Sequence, residues 1–326
     1  MNVSNKIDVH AHYLPQAYRT ALLAAGHDQP DGFPHLPDWS AEEHVDAMDR
    51  LGIATSLLSI SSPGVYFGDE TAARDLTREM NEVGRRAVVD NPGRFGLFAS
   101  LPLPDVDAAI AEIAYCCDHL DVDGFALLTN VGGTYLGDPS WEPVFRELNR
   151  RQARVFIHPT SPACWEHTSL GRPRPMLEFL FDTTRAVVDL VLRGTIARHT
   201  DIEFIIPHAG ATLPMIVDRV GAFSRLLEVD SSVDVLRDIA RLQYDLAGFP
   251  VPRQLDALLT ITTLEHLHYG SDYPFTREFA VAMAAERLEA AGEAPGALTE
   301  ALRTNTERLF PALAATSPRS IRKDAR

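Results

Sequence analysis

Short apolar runs punctuate the chain at residues 6–12, 53–60, 94–101, 123–128, 154–158, 202–207, 242–247 and 266–271. They are too short for typical helices and rich in β-branched and aromatic side chains. Several close on Pro or Gly, as buried parallel strands do. Between them the apolar period lengthens. Ser40 and Glu43 form a capping-box pair ahead of Val45, Met48 and Leu51, which marks a helix start. From about Asp69, the residues Leu76, Met80, Val83 and Ala87 recur at four-three-four spacing, and Trp141, Val144, Phe145 and Leu148 repeat the stripe. Such one-faced stripes are read as core. Regular alternation of strand and helix predicts an α/β protein, a (β/α)8 TIM barrel.

Two insertions distort that rhythm. Residues 13–39, after the first strand, are dense in Gly, Pro, Asp and aromatics, and the proline-rich 159–175, with Trp165, follow the fifth. Long loops on one rim of a barrel usually shape a pocket. The 326-residue chain suits one barrel over 1–312, with 313–326 a flexible C-terminal tail.

Polar residues gather where the predicted strands end. The first run closes on His10-Ala11-His12, the fifth on His158, the sixth on His208, and the eighth on Asp272. Alternate residues of a strand share a face, so His10 and His12 converge on one point and make half a metal site. On a barrel all these strand ends lie on the catalytic rim. His27, His35, His44, His119, His167 and His199 are assigned to packing or surface, and His266 and His268, early in the eighth strand, to burial.

Composition narrows the partners. An apolar fraction of 45% with 23% charged residues is that of a globular protein, and no run has the length of a membrane span. A net charge of −15 argues against nucleic acid. The first residues lack a secretory pattern, and Cys116, Cys117 and Cys164 are an odd number with an adjacent pair, so a reducing cytoplasm is expected.

Taken together, Ile7 to His12, Met48 to Ile53, Asn91 to Phe95, His158-Pro159, His208-Ala209-Gly210 and Gly270 to Phe275 carry a resemblance that spans nearly the whole chain. The sequence resembles the metal-dependent amidohydrolase superfamily, in the branch of aminocarboxymuconate-semialdehyde decarboxylase and the salicylate- and resorcylate-type decarboxylases. Phe98 to Pro102 and Leu148 to Arg151 are most similar to its 6-methylsalicylate decarboxylases. Ala209-Gly210-Ala211 replaces a frequent Gly-Gly-Gly, and Tyr244 to Ala247 also departs from the pattern.

The resemblance implies His10, His12, His158 and Asp272 as metal ligands, and His208 as a catalytic group beside Asp272. Many superfamily members bridge two metals with a carboxylated lysine on the fourth strand. This chain has only Lys6 and Lys323, neither in a middle strand, so one metal is expected. Three imidazoles and a carboxylate suit Zn²⁺ and would tolerate Mn²⁺. The implied reaction is non-oxidative decarboxylation of a hydroxylated aromatic acid, 6-methylsalicylate or salicylate type. The metal chelates the carboxylate and phenol oxygens, and Asp272 or His208 protonates the ring. A zinc hydrolase of an amide, ester or lactone is the alternative, and a non-catalytic barrel a third. Phe275, Trp165 and Arg219 are the expected substrate-binding residues, with Tyr13, Trp39, Phe67 and Phe181 as lesser candidates for aromatic walls. Arg219 stands on a predicted helix eleven residues after His208. The resemblance implies that it reaches a neighbouring subunit's site, hence a homodimer or higher homo-oligomer.

Overall fold

A computed structural model describes residues 6–227, 233–292, 294 and 296–316. Within it the apolar runs form eight parallel strands: β1 Lys6–His12, β2 Ile53–Ser59, β3 Phe95–Ser100, β4 Gly124–Leu128, β5 Arg154–His158, β6 Glu203–Ile206, β7 Gln243–Asp245 and β8 Leu267–His268. They neighbour one another in chain order. Each parallel connection is therefore a crossover, which runs outside the sheet and puts every strand's C-terminal end on the same rim. The ring closes where Val9 N donates to Tyr269 O at 2.9 Å and His12 N donates to Tyr273 O at 2.8 Å. The fold is the (β/α)8 barrel that the alternation predicts.

Local chemistry sets the element ends. The Ser40 hydroxyl accepts from Glu43 N at 3.1 Å to start the helix Ala41–Leu51, and Gly52, at φ 66°, ends it and turns directly into β2. Asp69 caps the helix Glu70–Asp90, which buries Met80 and Ala87 and leaves Leu76 and Val83 half-buried against the core. β1 carries one residue more than β2 between the pairs Asp8–Ser56 and Ala11–Leu58. Bulges of this kind re-aim side chains beside functional sites. The buried Asp8 carboxylate holds this one, accepting from the backbone N–H groups of His10 and Ser271, both at 3.0 Å.

The barrel's interior is a distinct cluster. Ile7, Val9, Leu57, Phe98, Phe156 and Ile205 come from five different strands and meet only inside the ring, where Phe310 and Leu313 join them. Phe310 touches Phe98, Phe98 stacks on Phe156 at 5.5 Å, and Phe156 meets His10 edge-on at 4.8 Å. This aromatic column supports the rim from below.

Two elements differ from the sequence expectation. The eighth strand is reduced to Leu267–His268, because Leu264–His266 coils into a tight turn held by His266 Nδ1 on Ala240 O. The first insertion is not wholly irregular: it contains the helix Gln16–Ala24, anchored by buried Tyr18 and Leu22. At the start of the expected tail, Leu313 lies on a short helix, Pro311–Thr316, and packs into the barrel interior. Residues 317–326 lie outside the described residues.

Candidate metal centre

The ends of β1 and β5 and the turn after β8 bring His10, His12, His158 and Asp272 together, with one ligand atom from each within 4.8 Å of all the others. Asp272 Oδ1 lies 3.2 Å from His12 Nε2 and 3.5 Å from His10 Nε2. The three imidazoles meet nearly edge to face, with ring centroids 4.8–5.3 Å apart. All three are buried in the fold.

Each ring is oriented through its other nitrogen. His10 Nδ1 lies 2.9 Å from Asp245 Oδ2, His12 Nδ1 lies 2.9 Å from Ser59 Oγ, and His158 Nδ1 lies 2.8 Å from Pro159 O. A carboxylate and a carbonyl only accept, and Ser59 Oγ donates onward to Ala11 O at 3.2 Å. Each Nδ1 is therefore the protonated nitrogen, which leaves every Nε2 lone pair facing the centre. His10 Nε2 and His12 Nε2 are buried without a hydrogen-bond partner among the described residues. Buried polar atoms are seldom left so. Bare imidazole nitrogens beside a carboxylate are a divalent-cation donor set, and the residues present fit such an ion.

Electrostatics agree with ligation. Burial pushes His12 down, and burial together with its imidazole neighbours holds His158 well below the usual histidine range, so both favour the neutral, ligating form. Burial opposes protonation of His10 as well, but the Asp245 carboxylate overrides it and raises that ring. Burial alone would raise Asp272; its place beside the imidazoles of His12, His10 and His208 instead lowers it, so it stays ionised.

His208 sits above this group, its ring centroid 5.1 Å from that of His10. Its backbone is held at φ 55° and that of Asp272 at φ 58°, left-handed conformations that cost of order 1–3 kcal/mol unless the surroundings impose them. Here they do. His208 N donates to Asp245 Oδ1 at 3.1 Å, and His208 O accepts from Gln254 Nε2 at 2.6 Å. Asp272 N donates to His10 O at 2.7 Å, and its Oδ2 accepts from Thr276 Oγ1 at 3.1 Å. His208 Nδ1 is buried without a partner among the described residues, and burial lowers its basicity.

The sequence reading missed Asp245, Ser59 and Asp8. Asp245 was legible: it is a carboxylate closing an apolar strand on the same rim, the criterion that singles out His158 and His208.

A cavity of about 350 Å³ opens over the centre, bounded by His158, His208 and Asp272 below and by Phe33, Phe179, Phe249 and Phe275 around it. Among the described residues no lysine or arginine lines it. Phe275 meets His12 at 5.6 Å and Phe33 at 5.8 Å and stands at the cavity wall. Pro30, Asp31, Pro175 and Met176 of the two insertions also line it. Trp165, on the short helix Trp165–Thr168, lines a neighbouring cavity rather than this one. Arg219 does not line the cavity of its own chain; it is exposed on the helix Leu213–Leu226 and lies 4.6 Å over Phe223. Tyr13 is core, and Phe181 is exposed. His268 is buried between Thr306 and Gln243, away from the centre, as expected.

A model of the amidohydrolase family matches residues 7–312. The chain is 36% identical to a 6-methylsalicylic acid decarboxylase of Aspergillus aculeatus over 94% of its own length and 96% of the relative's. A solved structure described as an amidohydrolase II superposes with a TM-score of 0.89 at 33% identity, covering 94% of this chain and 99% of that one. A dihydroxybenzoic acid decarboxylase of Polaromonas with bound manganese and 2-nitroresorcinol shares the fold, with a TM-score of 0.79 at 21% identity over 95% and 97% of the two chains. The barrel, the ligand geometry and these likenesses agree: the chain belongs to the amidohydrolase family, in the branch that holds these decarboxylases.

Proposed function

We propose that the protein is a metal-dependent, non-oxidative decarboxylase of a hydroxylated aromatic carboxylic acid of the 6-methylsalicylate or salicylate type. The observation that carries this is the pairing of a one-ion donor set with a cavity whose walls are aromatic and hold no cationic side chain. A substrate carboxylate entering that cavity finds no other positive group in its lining. His10, His12, His158 and Asp272 would hold a divalent ion, which would supply positive charge for the substrate's oxygens. The donor set favours Zn²⁺; Mn²⁺ is its competitor, since a protein of the same fold carries it.

The chain's own residues do the rest. Phe275 and Phe33 flank the ring and exclude water. Asp245 fixes His10 and the His208 backbone together. His208, with Nδ1 unpartnered, holds and delivers the proton that the ring carbon takes up as the carboxylate departs. Asp272, pinned by His10, His12 and Thr276, stays ionised as a ligand. The hydrolase alternative needs the same residues, and nothing in the site favours it over the reaction of the family relatives.

Free thiols at Cys116, Cys117 and Cys164 support a reducing cytoplasm. Among the described residues no helix is long and apolar enough to cross a membrane. Arg219 stands exposed near Met215 and Phe223 in sequence, which supports a homodimer or higher homo-oligomer in which it enters the neighbour's cavity. The deciding experiment incubates metal-loaded protein with 6-methylsalicylate and salicylate, and measures released CO₂ and the phenol formed. Absence of turnover with either Zn²⁺ or Mn²⁺ would remove the proposal.

A further inference from the structure

Beside the metal cavity lies a second, of about 390 Å³. The two share Asp31. Along this seam Ser62 Oγ lies 2.7 Å from Thr160 Oγ1, Ser161 Oγ donates to Asp31 Oδ1 at 2.5 Å, and Arg174 Nε donates to Ser161 Oγ at 3.0 Å. Ile60, Leu101, Leu127, Tyr66 and Trp165 give the second chamber a mainly apolar wall. A space of this size and lining takes a small organic molecule.

One guanidinium faces that space. Arg174 lies 4.1 Å over the Trp165 ring, and its Nε is tied to Ser161. Among the described residues it enters no ion pair, and neither Nη donates a hydrogen bond. Asp31 is near enough to influence it, but the contact of its Oδ1 is with the Ser161 hydroxyl. An arginine held by a stack and one hydrogen bond, with Nη1 packed beside Gly32 and neither Nη given an acceptor among the described residues, offers its donors to the two oxygens of a carboxylate. Among the described residues the metal cavity has no such group.

We propose that this chamber is a second binding site, for a small aromatic monocarboxylate, with the carboxylate on the Arg174 fork and the ring along Trp165 and the aliphatic wall. The predominantly apolar lining makes it unsuited to inorganic phosphate. No metal takes part, so the site stands or falls independently of the proposed reaction.

The test is a titration of metal-loaded protein with benzoate, followed by calorimetry and tryptophan fluorescence. Two benzoates per chain are expected. The one that quenches Trp165, a signal lost in Trp165→Phe, should weaken about tenfold or more in Arg174→Met while the other is unchanged. Ala163→Trp, at an exposed position on the same lining, should block that site without touching the guanidinium. Absence of a benzoate that quenches Trp165, or one whose affinity is unaltered in both Arg174→Met and Ala163→Trp, overturns the proposal. Competition by inorganic phosphate at equal concentration overturns the assignment to aromatic acids.

Discussion

Asp245 Oδ2 receives the Nδ1 proton of His10 at 2.9 Å, while its Oδ1 accepts from the backbone N–H of His208 at 3.1 Å. One buried carboxylate thus orients a proposed metal ligand and pins the strained backbone of the proposed proton donor. Groups in this position typically change metal affinity 10–100-fold. Asp245→Ala should weaken metal binding by that order, and Asp245→Asn, whose amide oxygen can still accept from His10, should lose less. Metal titration of the two variants checks the ranking; equal, unchanged affinities would refute the orienting role.

His208 should separate chemistry from metal binding. Its side chain lines the cavity but lies outside the four-ligand group. His208→Ala is expected to keep its metal by elemental analysis and to lose kcat by roughly 10²–10⁴, the usual worth of a positioned acid. Loss of metal and activity in parallel would make it a ligand instead.

Phe156 links the barrel interior to the site, stacking on Phe98 and touching His10. Because it is fully buried, Phe156→Ala should cost about 3–5 kcal/mol of stability through lost burial and the cavity left behind. Denaturant unfolding measures this, and metal affinity should fall with it as His10 loses its support.

Acid should unfold the protein through buried histidines outside the four-ligand group. Burial holds His44 and His268 near 3 in the fold, against about 6.5 when exposed. His44 Nδ1 accepts from Trp39 Nε1 at 2.8 Å, and His268 sits between Thr306 and Gln243. Between pH 6.5 and 3 the unfolded chain binds protons at both positions and the folded chain does not, so stability falls as pH drops through that window. His268→Gln should flatten this slope in unfolding measured from pH 7 to 4. An unchanged slope would assign the acid sensitivity elsewhere.

Arg219 provides a test of assembly. It is exposed, and it enters no ion pair among the described residues. If it completes a neighbour's cavity, Arg219→Ala should raise KM or lower kcat while metal content is unchanged, and light scattering of the native protein should give a dimer or larger. A monomer with full activity in Arg219→Ala would leave it a surface charge.

How much was legible in the amino-acid order follows from how local each signal is. Strand and helix periods, the Ser40 cap and the rim position of His10, His12, His158, His208 and Asp272 are properties of short segments, and the parallel alternation leaves few topologies open. The helix Gln16–Ala24 escaped notice because Gly and Pro dominate its neighbourhood, while burial of Tyr18 and Leu22 against the barrel decides its conformation. Trp165 was placed at the substrate by loop membership alone; the loop's path, set by the Arg174 stack and the Ser161 hydrogen bonds, carries it to the adjoining chamber.

From order alone came the barrel, the rim and the residue types that chemistry needs there, because each rests on spacing within a segment. Packing decided the rest: which nitrogen of each ring faces inward, the carboxylate shared by His10 and His208, and the division of the rim into two chambers. These depend on contacts between residues as far apart as positions 10 and 245, and such contacts exist only once the barrel has closed.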